Sequence, residues 1–229
     1  MQQTNVFVVE TGPLAEGELS ALLPPFDPAE VKCGNLGPEK AAQKIAEALA
    51  NHRRDFFDKA ALDPLTGRVI AIGILDLETD GFSIIGHEDE AQTLREFWEA
   101  ARGDMGRINP LIGFNICNFD LPFLIRRSWK HRIAVPFGIR RGRYWGDQVV
   151  DLRDAWQLGD RQARGSLDTI AKHLGVGAKC VPHGPLSGQH ITGADFAGLW
   201  KTDRKSAEGY LKNDVELTAK IADVLGVVV

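Results

Sequence analysis

The chain has few cysteines and no long apolar run, and these two absences exclude whole classes of protein. Its 229 residues include three cysteines, which are far apart and odd in number, so neither a disulfide framework nor a cysteine metal site is predicted. No apolar stretch approaches the about 20 residues that a transmembrane helix needs. The first residues, MQQTNVFVVE, also lack the basic and apolar segments of a secretory signal. We therefore expect a cytoplasmic protein with no membrane partner.

The sequence also lacks a positive net charge and a glycine-rich phosphate-binding loop. The formal net charge is −4, and no GxGxxG pattern is present, which argues against a dinucleotide-binding domain. Within 121–165, however, basic residues outnumber acidic ones by ten to four, a local charge of +6. This segment could bind a phosphate backbone or could be an ordinary solvated helix face. The basic residues are Arg126, Arg127, Lys130, Arg132, Arg140, Arg141, Arg143, Arg153, Arg161 and Arg164.

Hydrophobic periodicity predicts an α/β fold with a mixed sheet flanked by helices, arranged as a single domain over 1–229. Residues 12–38 are rich in proline and glycine, which predicts a long inserted loop. Asp203 is a candidate N-cap for the last helix. Strands are predicted over 5–10, 68–77, 82–87, 110–115 and 144–152, and helices over 39–51, 88–102, 119–132, 166–174, 192–200 and 203–225.

Three acidic residues fall at or near the ends of predicted elements. Glu10 ends the first strand, Asp120 follows the strand PLIGFN, and Asp214 lies in the last helix with Tyr210 one turn before it. Converging carboxylates are the ligands that Mg²⁺ and Mn²⁺ prefer. Two alternatives stay open, because Asp120 could instead favour the helix dipole and Tyr210 could be a core aromatic residue.

The segments VFVVETGPL, GFNICNFDLPFL and YLKNDVELT resemble the three exonuclease motifs of the DEDD superfamily, which has an RNase H-like fold. The tyrosine four residues before Asp214 matches the tyrosine subclass of that superfamily. The segments ALDPLTGRVIAIGI and VVDLRDAW are similar to the predicted 3′–5′ exonucleases related to the proofreading domain of family B DNA polymerases. The resemblance covers essentially the whole chain. It implies an RNase H-like mixed sheet, a C-terminal helix that carries the third motif, and metal-dependent hydrolysis of nucleic-acid phosphodiesters from the 3′ end.

The resemblance also implies a role for each matching residue. Glu10 and Asp214 would bind a first metal ion, Asp120 would hold a second largely through water, and Tyr210 would orient the attacking water. Two Mg²⁺ or Mn²⁺ ions are the implied cofactors, and single-stranded DNA is the favoured partner, with RNA as a possibility. The candidate nucleic-acid contacts are Thr11, Asn115, Phe119, Arg140, Arg141 and Arg143.

One position departs from the family pattern, because Val8 stands where the pattern has an aspartate that bridges both ions. Two divalent ions about 4 Å apart repel by about 4 kcal/mol even at the dielectric constant of water. Valine has no lone pair to offset this repulsion, so we predict weak binding of the second ion and severely reduced catalysis. Glu10, Asp120 and Asp214 could still hold one ion. The alternative function is a catalytically inactive relative that binds nucleic acid. A binding domain unrelated to nucleic acid would require the motif matches to be chance.

Overall fold

A five-stranded mixed sheet forms the centre of the fold, in the order β3-β2-β1-β4-β5. The computed structural model describes residues 3–103, 107–136, 148–160, 162–179 and 193–227. β4 pairs in parallel with both β1 and β5, whereas β2 and β3 form an antiparallel hairpin. The strands are β1 (Asn5–Pro13), β2 (Gly67–Asp76), β3 (Gly81–Ile85), β4 (Leu111–Gly113) and β5 (Val149–Asp151).

β1 places alternate side chains in two different hydrophobic clusters, as the two-residue period of a strand requires. Val6 and the partly buried Val8 belong to one cluster, while Phe7 and Val9 belong to the other. The first cluster contains residues of the helices Leu167–Leu174, Gly193–Thr202 and Arg204–Val224, and the second contains residues of the helices Glu90–Ala100 and Asp120–Lys130. The sheet is therefore covered on both faces, and β1 lies between the two cores.

Eight α-helices are found among the described residues, and local signals explain where several of them begin and end. The side chain of Asp203 accepts a hydrogen bond from the Ser206 amide and caps α8, which confirms the predicted N-cap. Gly175 ends α6 in the left-handed conformation that favours glycine. The helices are α1 (Glu16–Leu22), α2 (Pro38–Lys59), α3 (Glu90–Ala100), α4 (Asp120–Lys130), α5 (Leu152–Gln157), α6 (Leu167–Leu174), α7 (Gly193–Thr202) and α8 (Arg204–Val224).

The chain divides into two compact units, of which the larger comprises Met1–Thr11 with Val69–Val229 and the smaller comprises Gly12–Arg68. Within the smaller unit, Leu14, Leu19 and Ala60 form a small core with two partly buried phenylalanines. α2 has no buried residue. That the whole chain acts as a single domain stays a prediction.

The loop predicted over 12–38 is wrong in part, because this segment contains α1 and a short 3₁₀ turn at Pro28–Glu30. Leu19 is buried in the core of the smaller unit, which stabilises this short helix by tertiary packing. β1 also continues through the Thr-Gly-Pro sequence that was expected to end it, and α2 extends to Lys59, well beyond the predicted end at residue 51. The helix α5 was not predicted, and residues 144–147 of the predicted fifth strand lie outside the described residues.

Candidate active site

The first candidate ligand, Glu10, lies on β1 and shares one strand face with Val8. Glu10 is buried, with 7% of its surface exposed. Two residues earlier, Val8 is partly buried and packs against the same cluster that contains Tyr210 and Leu211. A valine is well suited to this half-buried strand position. The side chain at position 8 thus fits the local core.

The second candidate ligand, Asp120, is the first residue of α4 and is buried beside β1. The backbone amide of Val9 donates a hydrogen bond of 3.1 Å to Oδ1 of Asp120. This bond joins the first and second motifs across more than a hundred residues. Asp120 also lies in the first turn of its helix, where a negative charge is favourable. Its position therefore agrees with both predicted roles, a metal ligand and a charge that favours the helix dipole.

The third motif places Tyr210 and Asp214 one turn apart on α8, as the i, i+4 spacing predicted. The ring of Tyr210 is part of the core and lies 6.1 Å from the ring of Phe196. Its hydroxyl accepts a hydrogen bond of 3.2 Å from the ammonium group of Lys179. Tyr210 therefore combines a core ring with a hydroxyl that is directed to the site.

Lys179 is the site residue that the sequence did not reveal. Its Nζ donates to Oδ2 of Asp214 at 2.5 Å, and the side chains of Lys179 and Asp214 are 24% and 3% exposed. The backbone amide of Lys179 donates to Oδ1 of Asp168 at 2.9 Å, which fixes the chain just beyond α6. No local signal in the sequence marks this lysine, because its partners lie 31 and 35 residues away.

Burial shifts the ionisation of the three acids towards the neutral form, and repulsion from the other two acids adds to this shift at Glu10. Burial, together with the charges of Asp214 and Asp120, raises the pKa of Glu10 to about 8 although Lys179 opposes this. Burial also raises the pKa of Asp120 to about 7, against the hydrogen bond from Val9. The pKa of Asp214 is likewise raised by burial and partly restored by Lys179. Glu10 therefore lies close enough to Asp214 and Asp120 for their charges to raise its pKa, and Lys179 offsets this only in part.

Tyr210 is not a base near neutral pH. Burial and the charges of Asp214 and Glu10 raise the pKa of its hydroxyl to about 12. The group therefore stays protonated and can only donate or accept a hydrogen bond, which suits the role of a positioning residue.

The residues present do not fit a pair of divalent ions. Val8 offers no oxygen, and one oxygen of Asp214 is already occupied by the Lys179 ammonium group. Within the described part of the chain, Glu10, Asp120 and Asp214 do not form a set whose ligand atoms all lie within 4.8 Å of one another. Among the described residues, none donates a hydrogen bond to the buried Oδ1 of Asp214, which leaves one oxygen for a cation. These residues therefore do not supply the oxygens that the predicted two-ion arrangement requires.

A separate acidic group, Cys117, Asp151 and Asp154, does bring three potential ligand atoms within 4.8 Å. Backbone hydrogen bonds explain its geometry, because Asp151 accepts from the amides of Asn115, Cys117 and Arg153. Burial and the charge of Asp151 raise the pKa of the Cys117 thiol well above its ordinary value, so the thiolate that a metal requires is disfavoured. Asp151 instead fixes the second-motif loop against α5.

The predicted nucleic-acid contacts lie in different environments. Asn115 has a positive φ of 62° and accepts a weak hydrogen bond of 3.4 Å from Arg153. Phe119 is partly buried against Phe123, and Thr11 is buried at 6% exposure. Three further candidates lie outside the described residues, namely Arg140, Arg141 and Arg143.

One member of the basic segment is not available to phosphate. Arg127 is fully buried and donates two hydrogen bonds to Glu90 through Nε and Nη2. Arg126, its neighbour, is exposed. Arg127 therefore belongs neither to a phosphate-binding surface nor to a solvated helix face, the two alternatives predicted for the basic segment 121–165.

Comparisons with known proteins agree with this fold. A family model described as the RNase_H superfamily matches residues 56–202, which is more than half of the chain. A solved structure, the family B DNA polymerase from the hyperthermophilic archaeon Pyrobaculum calidifontis, is similar with a TM-score of 0.58 and 17% sequence identity. The match covers 98% of this chain and 24% of the polymerase chain. No curated protein matches.

The chain belongs to the RNase H superfamily. The predicted RNase H-like α/β fold and its likeness to family B polymerases are confirmed. The chain spans about a quarter of the length of the polymerase that it resembles, and this similarity concerns the fold. Within the described residues, no helix combines the length and apolarity that crossing a membrane would require.

Proposed function

We propose that this chain is a 3′–5′ exonuclease-type domain that engages single-stranded DNA ends in the cytoplasm, with hydrolysis severely reduced by Val8. The observation that carries the proposal is the convergence of three motifs: Glu10 on β1, Asp120 joined to β1 through Val9, and Asp214 on α8. The RNase H superfamily is a nuclease fold, which supports a nucleic-acid substrate. The subclass, the strand polarity and the preference for DNA over RNA belong to the proposal.

The chemistry of the proposed reaction explains why Val8 is damaging. Family members would use divalent ions to activate water and stabilise the leaving 3′ oxygen. In this chain the bridging position holds an apolar side chain that packs in the core. The remaining groups would bind and orient a strand end, with Tyr210 as a neutral hydrogen-bonding group. A catalytically inactive nucleic-acid-binding relative is the limiting case of the same proposal.

The decisive experiment compares the chain with its Val8→Asp form. Both are incubated with a 5′-labelled single-stranded DNA or RNA oligonucleotide in Mn²⁺, Mg²⁺ or chelator. Val8→Asn is the matched control, because it has the size of aspartate without its charge. We expect 3′-end shortening only in the Val8→Asp form and only with metal.

Four outcomes would change the proposal. Activity in the unchanged chain would mean that another group replaces the missing carboxylate. Activity in Val8→Asn would mean that the charge at position 8 is unimportant. If no form shortens DNA or RNA, and none binds either, the exonuclease proposal is wrong. Preferential cutting of RNA would mean that the substrate is RNA, which carries the 2′-hydroxyl group, and not DNA.

A further inference from the structure

The site contains a cation of its own. Lys179 reaches Asp214 at 2.5 Å and Tyr210 at 3.2 Å, and its Nζ lies 5.2 Å from the centroid of the tyrosine ring. Both partners are third-motif residues, and Asp214 is a ligand to the first ion in the proposed family arrangement. A positive group therefore already contacts the carboxylate that an ion would require.

The backbone holds this lysine in place. Gly175 reverses the chain after α6 in the left-handed conformation, and Gly177 adopts a φ of 141°. A Cβ at Gly177 would lie 3.0 Å from Leu217 on α8, so this turn passes close to the helix. The Lys179 amide is then anchored to Asp168. The contact with Asp214 thus follows from the fixed path of the chain as well as from the reach of a long side chain.

The burial of Asp214 makes the ammonium group difficult to displace. Its side chain is only 3% exposed, and removing one partner of a buried ion pair leaves an uncompensated charge. Nζ of Lys179 contacts both Asp214 and Tyr210, so displacing the ammonium group would break two hydrogen bonds. A divalent ion would have to replace this contact without a bridging oxygen at position 8.

We infer that Lys179 takes the place of a divalent ion at Asp214, so that this chain engages a nucleic-acid end without a metal. The inference rests on the proposed function for the ligand role of Asp214 and for the substrate. An ammonium group has three donors, and within the described residues Asp214 and Tyr210 use two of them. With a quarter of its side chain exposed, Lys179 can offer the third to a phosphate oxygen.

The first test measures Mn²⁺ binding by titration calorimetry in the chain and in its Lys179→Met form. We expect no saturable Mn²⁺ binding to the unchanged chain. Lys179→Met should bind Mn²⁺ with an affinity at least about tenfold higher than any that the unchanged chain shows. Lys212→Met is the matched control, because Lys212 is exposed on α8 and pairs with Glu216. Lys179→Arg retains the charge and should continue to exclude Mn²⁺.

Equal Mn²⁺ affinity in the unchanged chain and in Lys179→Met would overturn the inference. Thermal unfolding by circular dichroism checks that each variant is folded. If Lys179→Met does not fold, Lys179→Gln, which is neutral but polar, replaces it. Mn²⁺ binding by Lys179→Arg as tight as that by Lys179→Met would equally exclude a role for the charge.

The second test separates this inference from the proposed function. Fluorescence anisotropy with a single-stranded DNA oligonucleotide should give the same affinity in chelator and in Mn²⁺ for the unchanged chain. Lys179→Met should bind at least about tenfold more weakly in chelator and should recover in Mn²⁺. If Mn²⁺ binding behaves as expected but no form binds DNA or RNA, the proposed function fails while the metal-replacing role stands. DNA binding that requires Mn²⁺ in the unchanged chain would refute the inference and leave the proposed function intact.

Discussion

Glu10 and Glu90 are both buried glutamates of the larger unit, with 7% and 6% of their surface exposed, but their surroundings differ in the number of donors. Burial alone would raise the pKa of Glu90. The pKa nevertheless lies below its ordinary value, because Arg127, His131 and the Val69 amide donate hydrogen bonds to the Glu90 carboxylate. Among the described residues, no hydrogen bond reaches the Glu10 carboxylate, and its pKa rises to about 8.

The difference shows that burial does not by itself decide the charge of an acid. A carboxylate surrounded by donors and an arginine stays ionised and contributes to a fixed structure. A carboxylate surrounded by other acids is poised to bind a cation or a proton. The Glu90 network is thus interpreted as structural, and the Glu10 site as one arranged for a ligand.

Removing the partner of Glu90 should produce the largest loss of stability. Arg127→Met leaves a buried carboxylate without its cation, and we expect the free energy of unfolding to fall by about 3–5 kcal/mol. Urea denaturation followed by circular dichroism measures this loss. Arg126→Met, at the exposed neighbouring position, is the control and should change little. An equally small effect at Arg127 would mean that the network is not structural.

Removing the charge of Glu10 should instead stabilise the protein at high pH. The pKa of Glu10 is about 8 in the folded protein and near 4.5 in the unfolded chain, so the folded state binds more protons between these values. The contribution of Glu10 to the free energy of unfolding is therefore fully present at low pH, and it is lost as the pH rises from about 4.5 to 8. In chelator, Glu10→Gln should therefore gain stability with rising pH, by about 1–3 kcal/mol at pH 8.

Urea denaturation at pH 5, 6.5 and 8 measures this gain. The exposed Glu99→Gln serves as the control, since Glu99 pairs only at the surface with Arg102. A constant difference between Glu10→Gln and the unchanged chain across this range would show that Glu10 is ionised normally, and the comparison with Glu90 would then fail.

The smallest effect is expected at a neutral hydrogen bond beside the Glu90 network. The indole of Trp98 donates to the Ser128 hydroxyl at 2.8 Å, and both residues are buried. Ser128→Ala leaves the indole N–H without its acceptor and should cost about 1–2 kcal/mol. The double variant Trp98→Phe/Ser128→Ala should lose less than the sum of the two single changes, as measured by thermal and urea unfolding. Strict additivity would mean that the two groups do not interact.

Local sequence patterns predicted the order of most elements, because hydrophobic periodicity and end signals such as Asp203 and Gly175 act within a few residues. The motif acids could also be located, since each lies in a short contiguous motif, although only Asp120 stands at the start of an element. The partners of these acids could not be predicted. Lys179 meets Asp214 across 35 residues, and Arg127 meets Glu90 across 37. Their pairing depends on the complete fold, and a lysine or arginine in the sequence does not reveal whether its partner is solvent or a buried acid.

The hydrogen bond from the Val9 amide to Asp120 has a consequence for judging activity from motifs. This aspartate has a task that continues after hydrolysis is lost, because it secures the start of α4 to the central strand. An intact second motif in a sequence is then a sign of sound architecture, whether or not the molecule still cuts. Under the proposed function, the position that reports on chemistry is instead the one proposed to bridge the metal ions, which is Val8 in this chain.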